Sequence, residues 1–420
     1  MPAKGNFSIA AVIFALFVLG TLLGAERKDI TQGFDELAHT SYVAEIQRAG
    51  GIPPLQTMRL LDPRTFEFTG QPNYLNHPAV FYALLAWLGP RLEGHPRALL
   101  ADRLIDGAIA ALGVAALLAL GLAARFSRYE FYAYAVPLAC VPVLIPIAGA
   151  INNDNLAFCG GAIATFGVWR CVAGGGNRWL GLALAGVVAA GWAKLTGLLL
   201  TAAMVSAVAA YLLWRGRMSR AWALAVLLVF LLAALPYADF IVRYGSPTPQ
   251  TPAQIALIKD GAQAAGWADL PRRSLPAYAG YFIVTFVAEW MPTLSARSAF
   301  NYAMLAIPAG ALACAVVGMA LSLQRLRRGK ESALDVVVLS GTLAIAATFV
   351  VHVAYSYGRY VATGWLMDAY PRYYLPLIAI VPLAGLSLAA AIESDRWRNA
   401  LLGFLIAGPI AFRLLGAPLG

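Results

Sequence analysis

The chain has 420 residues, of which 60% are apolar and only 12% charged, and its formal net charge is +10. A soluble protein of this length cannot cover its surface with so few charges, whereas lipid asks for no such cover. The basic excess does not point to nucleic acid, because it sits in short connectors between apolar runs: Arg125 and Arg128; Arg215, Arg217 and Arg220; Arg325, Arg327, Arg328 and Lys330; Arg396 and Arg398. That is the positive-inside distribution, which orients a membrane protein.

A spanning helix needs about 20 apolar residues. In chain order, such runs fall near 7–25, 98–124, 129–150, 155–173, 219–241, 299–323, 333–355, 372–391 and 398–416. The run 179–214 is too long for one span and is broken at Ala193-Lys194-Leu195-Thr196-Gly197, giving two short helices, 179–192 and 196–214. The expectation is an all-α polytopic membrane protein: one transmembrane domain over 1–420 with about eleven transmembrane helices. The first run lacks a small-residue cleavage site before Glu26-Arg27-Lys28 and reads as a retained helix.

With Lys4 on the cytoplasmic side, every arginine-rich connector falls on that side. Two long connectors, 26–97 and 242–298, fall on the other, with the short segments 151–154, 193–195 and 356–371. Connectors of that length are seldom mere links. Pro78 to Leu88 is too short to span and reads as a helix in the interface; 276–290, with Tyr278, Tyr281, Phe282, Phe286 and Trp290, reads as a second.

The polar residues on that face are the candidates for chemistry. After the first span comes Gly33-Phe34-Asp35-Glu36-Leu37-Ala38-His39, leading an amphipathic helix from Thr31 to Ala49 that ends at Gly50-Gly51. Asp35 and Glu36 in its first turn would be held ionised by the helix dipole, either to cap the helix or to accept a proton from a hydroxyl. Asp154 lies among Asn152, Asn153 and Asn155, which is either a polar turn or a second acidic site. Lys194 interrupts an apolar run at a cost of about 2.5–3.5 kcal/mol if it lies at membrane depth, and either snorkels or meets a lipid-borne phosphate. Arg372, in Tyr370-Pro371-Arg372-Tyr373-Tyr374-Leu375-Pro376, either binds phosphate or anchors a helix. His77, in Asn76-His77-Pro78, and Arg59 are further phosphate-binding candidates, with Arg243 and Arg359 weaker ones. No second His or Cys lies at ligand spacing beside His77, so no metal site is indicated and no cofactor is certain. Cys140, Cys159, Cys171 and Cys314 sit in apolar runs and read as inert thiols.

These pieces, taken in order, resemble the GT-C superfamily of membrane glycosyltransferases, which includes the protein O-mannosyltransferases and the aminoarabinose transferases acting on lipid A. The matching segments are Asp35-Glu36 with His39, Asn76-His77-Pro78, Asn152-Asn153-Asp154, Lys194-Leu195-Thr196-Gly197 and Arg372-Tyr373-Tyr374-Leu375-Pro376. The resemblance implies a polyprenyl-phosphate-linked sugar as donor and a lipid, glycan or protein as acceptor. It implies transfer on the periplasmic face of an inner membrane, commonly with inversion at the anomeric carbon. It puts Asp35 at the reaction centre and makes Asp154 the second acidic residue. One departure stands out: many relatives have two prolines after the histidine, whereas Ala79 follows Pro78 here. A lipid-linked sugar flippase or transporter would spread ionisable groups through the membrane interior. An O-antigen ligase or polymerase would use diphosphate-linked chains and an outer loop centred on arginine and histidine.

Overall fold

A computed structural model describes residues 4–289, 306–366 and 369–415. The chain is 75% helical. Its helices are α1 (Lys4–Arg27), α2 (Glu36–Ala49), α3 (Val80–Leu88), α4 (Leu99–Ala123), α5 (Arg128–Ala139), α6 (Leu144–Ala148), α7 (Asp154–Arg170), α8 (Arg178–Ala193), α9 (Leu195–Trp214), α10 (Arg220–Tyr244), α11 (Pro252–Ala264), α12 (Leu275–Glu289), α13 (Ala306–Arg327), α14 (Ala333–Thr363), α15 (Ile380–Ala389) and α16 (Asp395–Leu415). A small antiparallel hairpin, β1 (Arg59–Leu61) and β2 (Phe68–Pro72), interrupts the first long connector.

Among the described residues seven helices are long and apolar enough to cross a membrane: α1, α4, α7, α9, α10, α13 and α14. The count rises to eight if Pro371–Leu377 and α15, bent by 65° to each other, form one broken span. This is a multi-pass membrane protein, but not one of eleven spans. Prolines explain much of the difference. Pro137 lies inside α5, and Pro142 and Pro146 follow, so the run 129–150 breaks into α5 and the five-residue α6. Pro371 and Pro376 hold the start of the run 372–391 in a 3-10 helix. The helix α8 has 16 residues, short of a span, and α16 carries Asp395, Arg396, Arg398 and Arg413. The run 299–323 begins outside the described residues, as do Trp290 and residue 416.

The central seam is α7 on α8, where glycines let the backbones touch. A Cβ on Gly160 would come within 2.5 Å of the Ala190 nitrogen, and one on Gly186 within 2.4 Å of the Gly160 oxygen. Such close approach is how apolar helices associate in lipid. The helix α4 packs on the other side of α7, and α9 lies against α14.

The connector helices are less exposed than a purely interfacial position requires. In α3, Phe81, Tyr82 and Leu85 are buried while Trp87 is 80% exposed. In α12, Tyr278, Phe282 and Phe286 turn inward against Phe349, His352, Tyr360 and Tyr374. The basic connectors meet at one end of the bundle, where Arg217 donates to the Val172 carbonyl (3.1 Å) and Arg215 pairs with Glu331. All four cysteines are free.

Candidate functional site

At the other end of the bundle, four segments far apart in sequence come together. The first is a turn before α2. Asp29 accepts from the Thr31 N–H (2.8 Å), and then Gly33, Phe34 and Asp35 all take left-handed backbone conformations, with φ of 77°, 61° and 58°. A bulky residue there costs on the order of 1–3 kcal/mol and needs its surroundings to hold it. The helix therefore starts at Glu36, five residues later than the sequence pattern indicates. Asp35 occupies the N-cap position, but its side chain makes no capping bond. Instead it accepts from the Tyr74 hydroxyl (3.0 Å) and lies 3.7 Å from Arg372.

The second segment is the start of α7. Asp154 is buried and pairs with Lys194 at 2.5 Å, while its other oxygen lies 3.8 Å from the Arg372 Nε. The three asparagines around it are the framework of the turn. Asn152 donates to the Phe34 carbonyl (2.9 Å) and accepts from the Asp154 N–H (2.8 Å). Asn153 donates to the Ala193 carbonyl at the end of α8 (2.9 Å), and Asn155 to Asp106 (2.8 Å).

Lys194 is the third piece. It is a single extended residue, φ −162° and ψ 152°, between α8 and α9. Gly197 permits the break, since a Cβ there would lie 2.5 Å from the Ala190 carbonyl oxygen. The ammonium sits 4.0 Å from the centre of the Tyr373 ring. The fourth piece is the 3-10 segment Pro371–Leu377, which brings Arg372 between the two aspartates and against the Phe34 and Tyr373 rings, each 5.5 Å away. Arg372 thus bridges Asp35 and Asp154 at distances longer than hydrogen bonds, and its buried Nε has no hydrogen-bond partner among the described residues.

His77 borders the same space. Its ring stacks on His39 (centroids 5.9 Å apart), and His39 in turn bonds the Tyr82 hydroxyl at 2.8 Å. Burial pushes His77 down to about 3; the positive Lys194 and Arg372 add to this and Asp154 opposes it. His39 is likewise held well below the ordinary range, by burial first and then by His77 and the nearby cations. Both rings are neutral near pH 7, so His77 can offer a hydrogen bond to a phosphate but not a charge. Burial, and then Asp35, raises the Tyr74 hydroxyl, which remains a donor.

Two sequence candidates lie elsewhere. Glu36 is buried and fully engaged: Arg103 binds it through both nitrogens (2.7 and 2.9 Å), the Ile151 N–H donates to it (3.0 Å) and Lys28 lies 3.6 Å away. It ties α2 to α4 and has no free oxygen for a substrate proton. Arg59 is in β1, with its backbone N–H on Glu45 (2.8 Å) and its side chain on the Met58 carbonyl. Of the weaker candidates, Arg243 pairs with Asp239 along α10, and Arg359 lies over Tyr355.

The residues that sequence reasoning missed are Arg103 and Asp106, with Tyr74 and Lys28. Asp106 is buried and accepts from the Asn152 N–H (2.8 Å) as well as Asn155, fixing the loop that carries Asp154. The signal was present: Asp102, Arg103 and Asp106 put three charges into the first two turns of an apolar helix, where charge is expensive. Tyr74 carried no such signal.

Chemically, the arrangement offers a half-exposed carboxylate with one strong donor on it, and two cations whose shared partner is a buried carboxylate. Among the described residues no group of three or more His, Cys, Asp or Glu side chains is placed to hold a metal ion. The chain matches no protein-family profile, no curated protein and no solved structure.

Proposed function

We propose that the chain is a membrane glycosyltransferase of the GT-C kind. It moves a sugar from a polyprenyl-phosphate carrier to a hydroxyl of a lipid, glycan or protein acceptor on the periplasmic face of an inner membrane, with the N-terminus cytoplasmic. The observation that carries this reading is the convergence of Asp35, Asp154, Lys194 and Arg372 at the bundle end opposite the arginine-rich connectors.

The reaction is a direct displacement. Lys194 and Arg372 hold the donor phosphate, with His77 as a neutral hydrogen-bonding neighbour. Asp35 takes the proton of the acceptor hydroxyl as its oxygen attacks the anomeric carbon. The bond from that carbon to the phosphate oxygen breaks, the anomeric centre inverts and the carrier leaves as its phosphate. Asp154 lies between the two cations and orients them. Charge supports a monoanionic phosphodiester over a diphosphate: the two cations of the site, Lys194 and Arg372, are already shared with two carboxylates, Asp35 and Asp154. The position of the buried charges also fits transfer better than transport. Asp102, Arg103 and Asp106 lie in the first two turns of α4, at the site end, and not in mid-span.

The test is the mass profile of lipid-linked and surface glycans in cells lacking the chain, complemented with wild type, Asp35→Asn or Asp154→Asn. A missing sugar restored by wild type alone supports transfer and names both sugar and acceptor. Full restoration by both variants would sink the reading and favour a transporter or scaffold.

A further inference from the structure

The turn that carries Asp35 is built in an unusual way. A single left-handed residue at a helix start is ordinary when it is glycine, but here Gly33 is followed by two left-handed residues with side chains. Phe34 is 8% exposed, and two cations lie against its ring, the Lys28 ammonium 4.7 Å from the ring centre and the Arg372 guanidinium at 5.5 Å. Lys28 pairs with Glu36 at 3.6 Å, a carboxylate that Arg103 already binds twice, and among the described residues its buried Nζ has no partner within hydrogen-bond distance. Beyond that ion pair, the ammonium lies over the face of the Phe34 ring. The Phe34 carbonyl, meanwhile, is bonded by Asn152, two residues before Asp154.

We infer that Phe34 is a positioning residue: its buried ring, held by contacts with the Lys28 and Arg372 cations, locks the left-handed turn that presents the Asp35 carboxylate to the acceptor. This rests on the reading of Asp35 as proton acceptor. Two cations are needed because one of them is shared. When an anion draws Arg372 away from Asp35, the carboxylate is released to act as base, and Lys28 keeps the ring and the turn in place. Loading the phosphate side thereby frees the base without freeing the backbone.

The experiment uses the full chain in the null strain, with the initial rate of surface-glycan restoration after induction as one readout. Binding of undecaprenyl phosphate to the purified chain in detergent is the other. Phe34→Leu keeps apolar volume but loses the ring face; Lys28→Met loses the cation. Each is expected to slow restoration by about tenfold or more, as small misplacements of a reacting group do. The double variant should be no slower than the worse single one, because both act through one contact. Phe34→Tyr should stay within about threefold of wild type, its ring face being kept. Undecaprenyl phosphate binding should be unchanged throughout. Phe34→Gly, which removes the ring together with the left-handed strain, should be slow even when its rate is normalised to the amount of chain in the membrane. A wild-type rate for Phe34→Leu or Phe34→Gly beside an inactive Asp35→Asn would overturn the inference alone. Binding lost in proportion to rate would overturn it too, by making the ring part of the phosphate site. A wild-type rate for Asp35→Asn would instead remove the reading on which it rests.

Discussion

Asp35 and Asp154 share one guanidinium yet are fitted for different work. Asp154 is almost wholly buried and locked to Lys194, whereas 48% of the Asp35 side chain is exposed. Asparagine tolerates the left-handed backbone nearly as well as aspartate does. Asp35→Asn should therefore abolish transfer while leaving the thermal midpoint of the purified chain within about a degree or two, a surface-like effect; a large fall would make Asp35 structural. Lys194→Met should behave oppositely, stranding a buried carboxylate at a cost of about 3–5 kcal/mol. Adding Asp154→Leu should recover much of that loss in denaturation of the purified chain. No recovery would mean that the pair is not the source of the cost. His77 gives a pH test. Its folded value, about 3, is depressed below the ordinary 6.5, so the unfolded chain binds the extra proton first. Stability contributed by the neutral ring is present above 6.5 and is lost as pH falls from there toward 3. Thermal melts from pH 7 to 4 should fall less steeply for His77→Gln than for wild type; parallel slopes would count against a buried neutral His77. At this scale the sequence makes a residue legible wherever it is polar in apolar surroundings, as Lys194, Asp154 and Arg372 are, and the structure brings these three together. It was read poorly where two acids stand side by side, since nothing local distinguishes Asp35, which faces Tyr74, from Glu36, which faces Arg103.

Elements position these residues through close contacts. A Cβ at Gly161 on α7 would lie 2.2 Å from the Pro376 carbonyl oxygen, so the 3-10 segment bearing Arg372 rests directly on that glycine. Gly161→Ala must push the segment outward, an overpacking cost of about 1–3 kcal/mol. It should lower transfer in the complemented null strain far more than it lowers the amount of folded chain in the membrane. Equal losses would mean that the contact is only packing. The long helices were legible because their apolar runs exceed a span. The segment at 129–150 was not, because hydropathy counts Pro137, Pro142 and Pro146 as mild residues while the backbone treats them as breaks. Likewise the aromatic rings of α12 have the composition of an interfacial belt, and only the position of α14 decides that they turn inward.

For the whole molecule, the arginine-rich connectors and the candidate site occupy opposite ends. Cysteine introduced at the exposed Arg64, in the first long connector, should react with an impermeant thiol reagent in intact cells, after the outer barrier is opened. Cysteine at the exposed Arg328 should react only once the inner membrane is permeabilised. Labelling of both from one side would refute the proposed orientation. The separation of the two ends was legible in the charge distribution, whereas the number of spans was overestimated because it depends on bends that composition does not encode.

The site is assembled from residues that belong to no common stretch of chain. Asp35, Asp154 and Lys194 precede the exposed Gly329, and Arg372 follows it. Cutting the gene there would yield two fragments, one with both acids and a cation, the other with the guanidinium that bridges the acids. Neither half could work alone, yet Arg325–Asp335 and Arg215–Glu331 would hold them together across the cut. Co-expressed, they would be a self-reporting assembly in which restored glycan records reunion of the two halves in the bilayer.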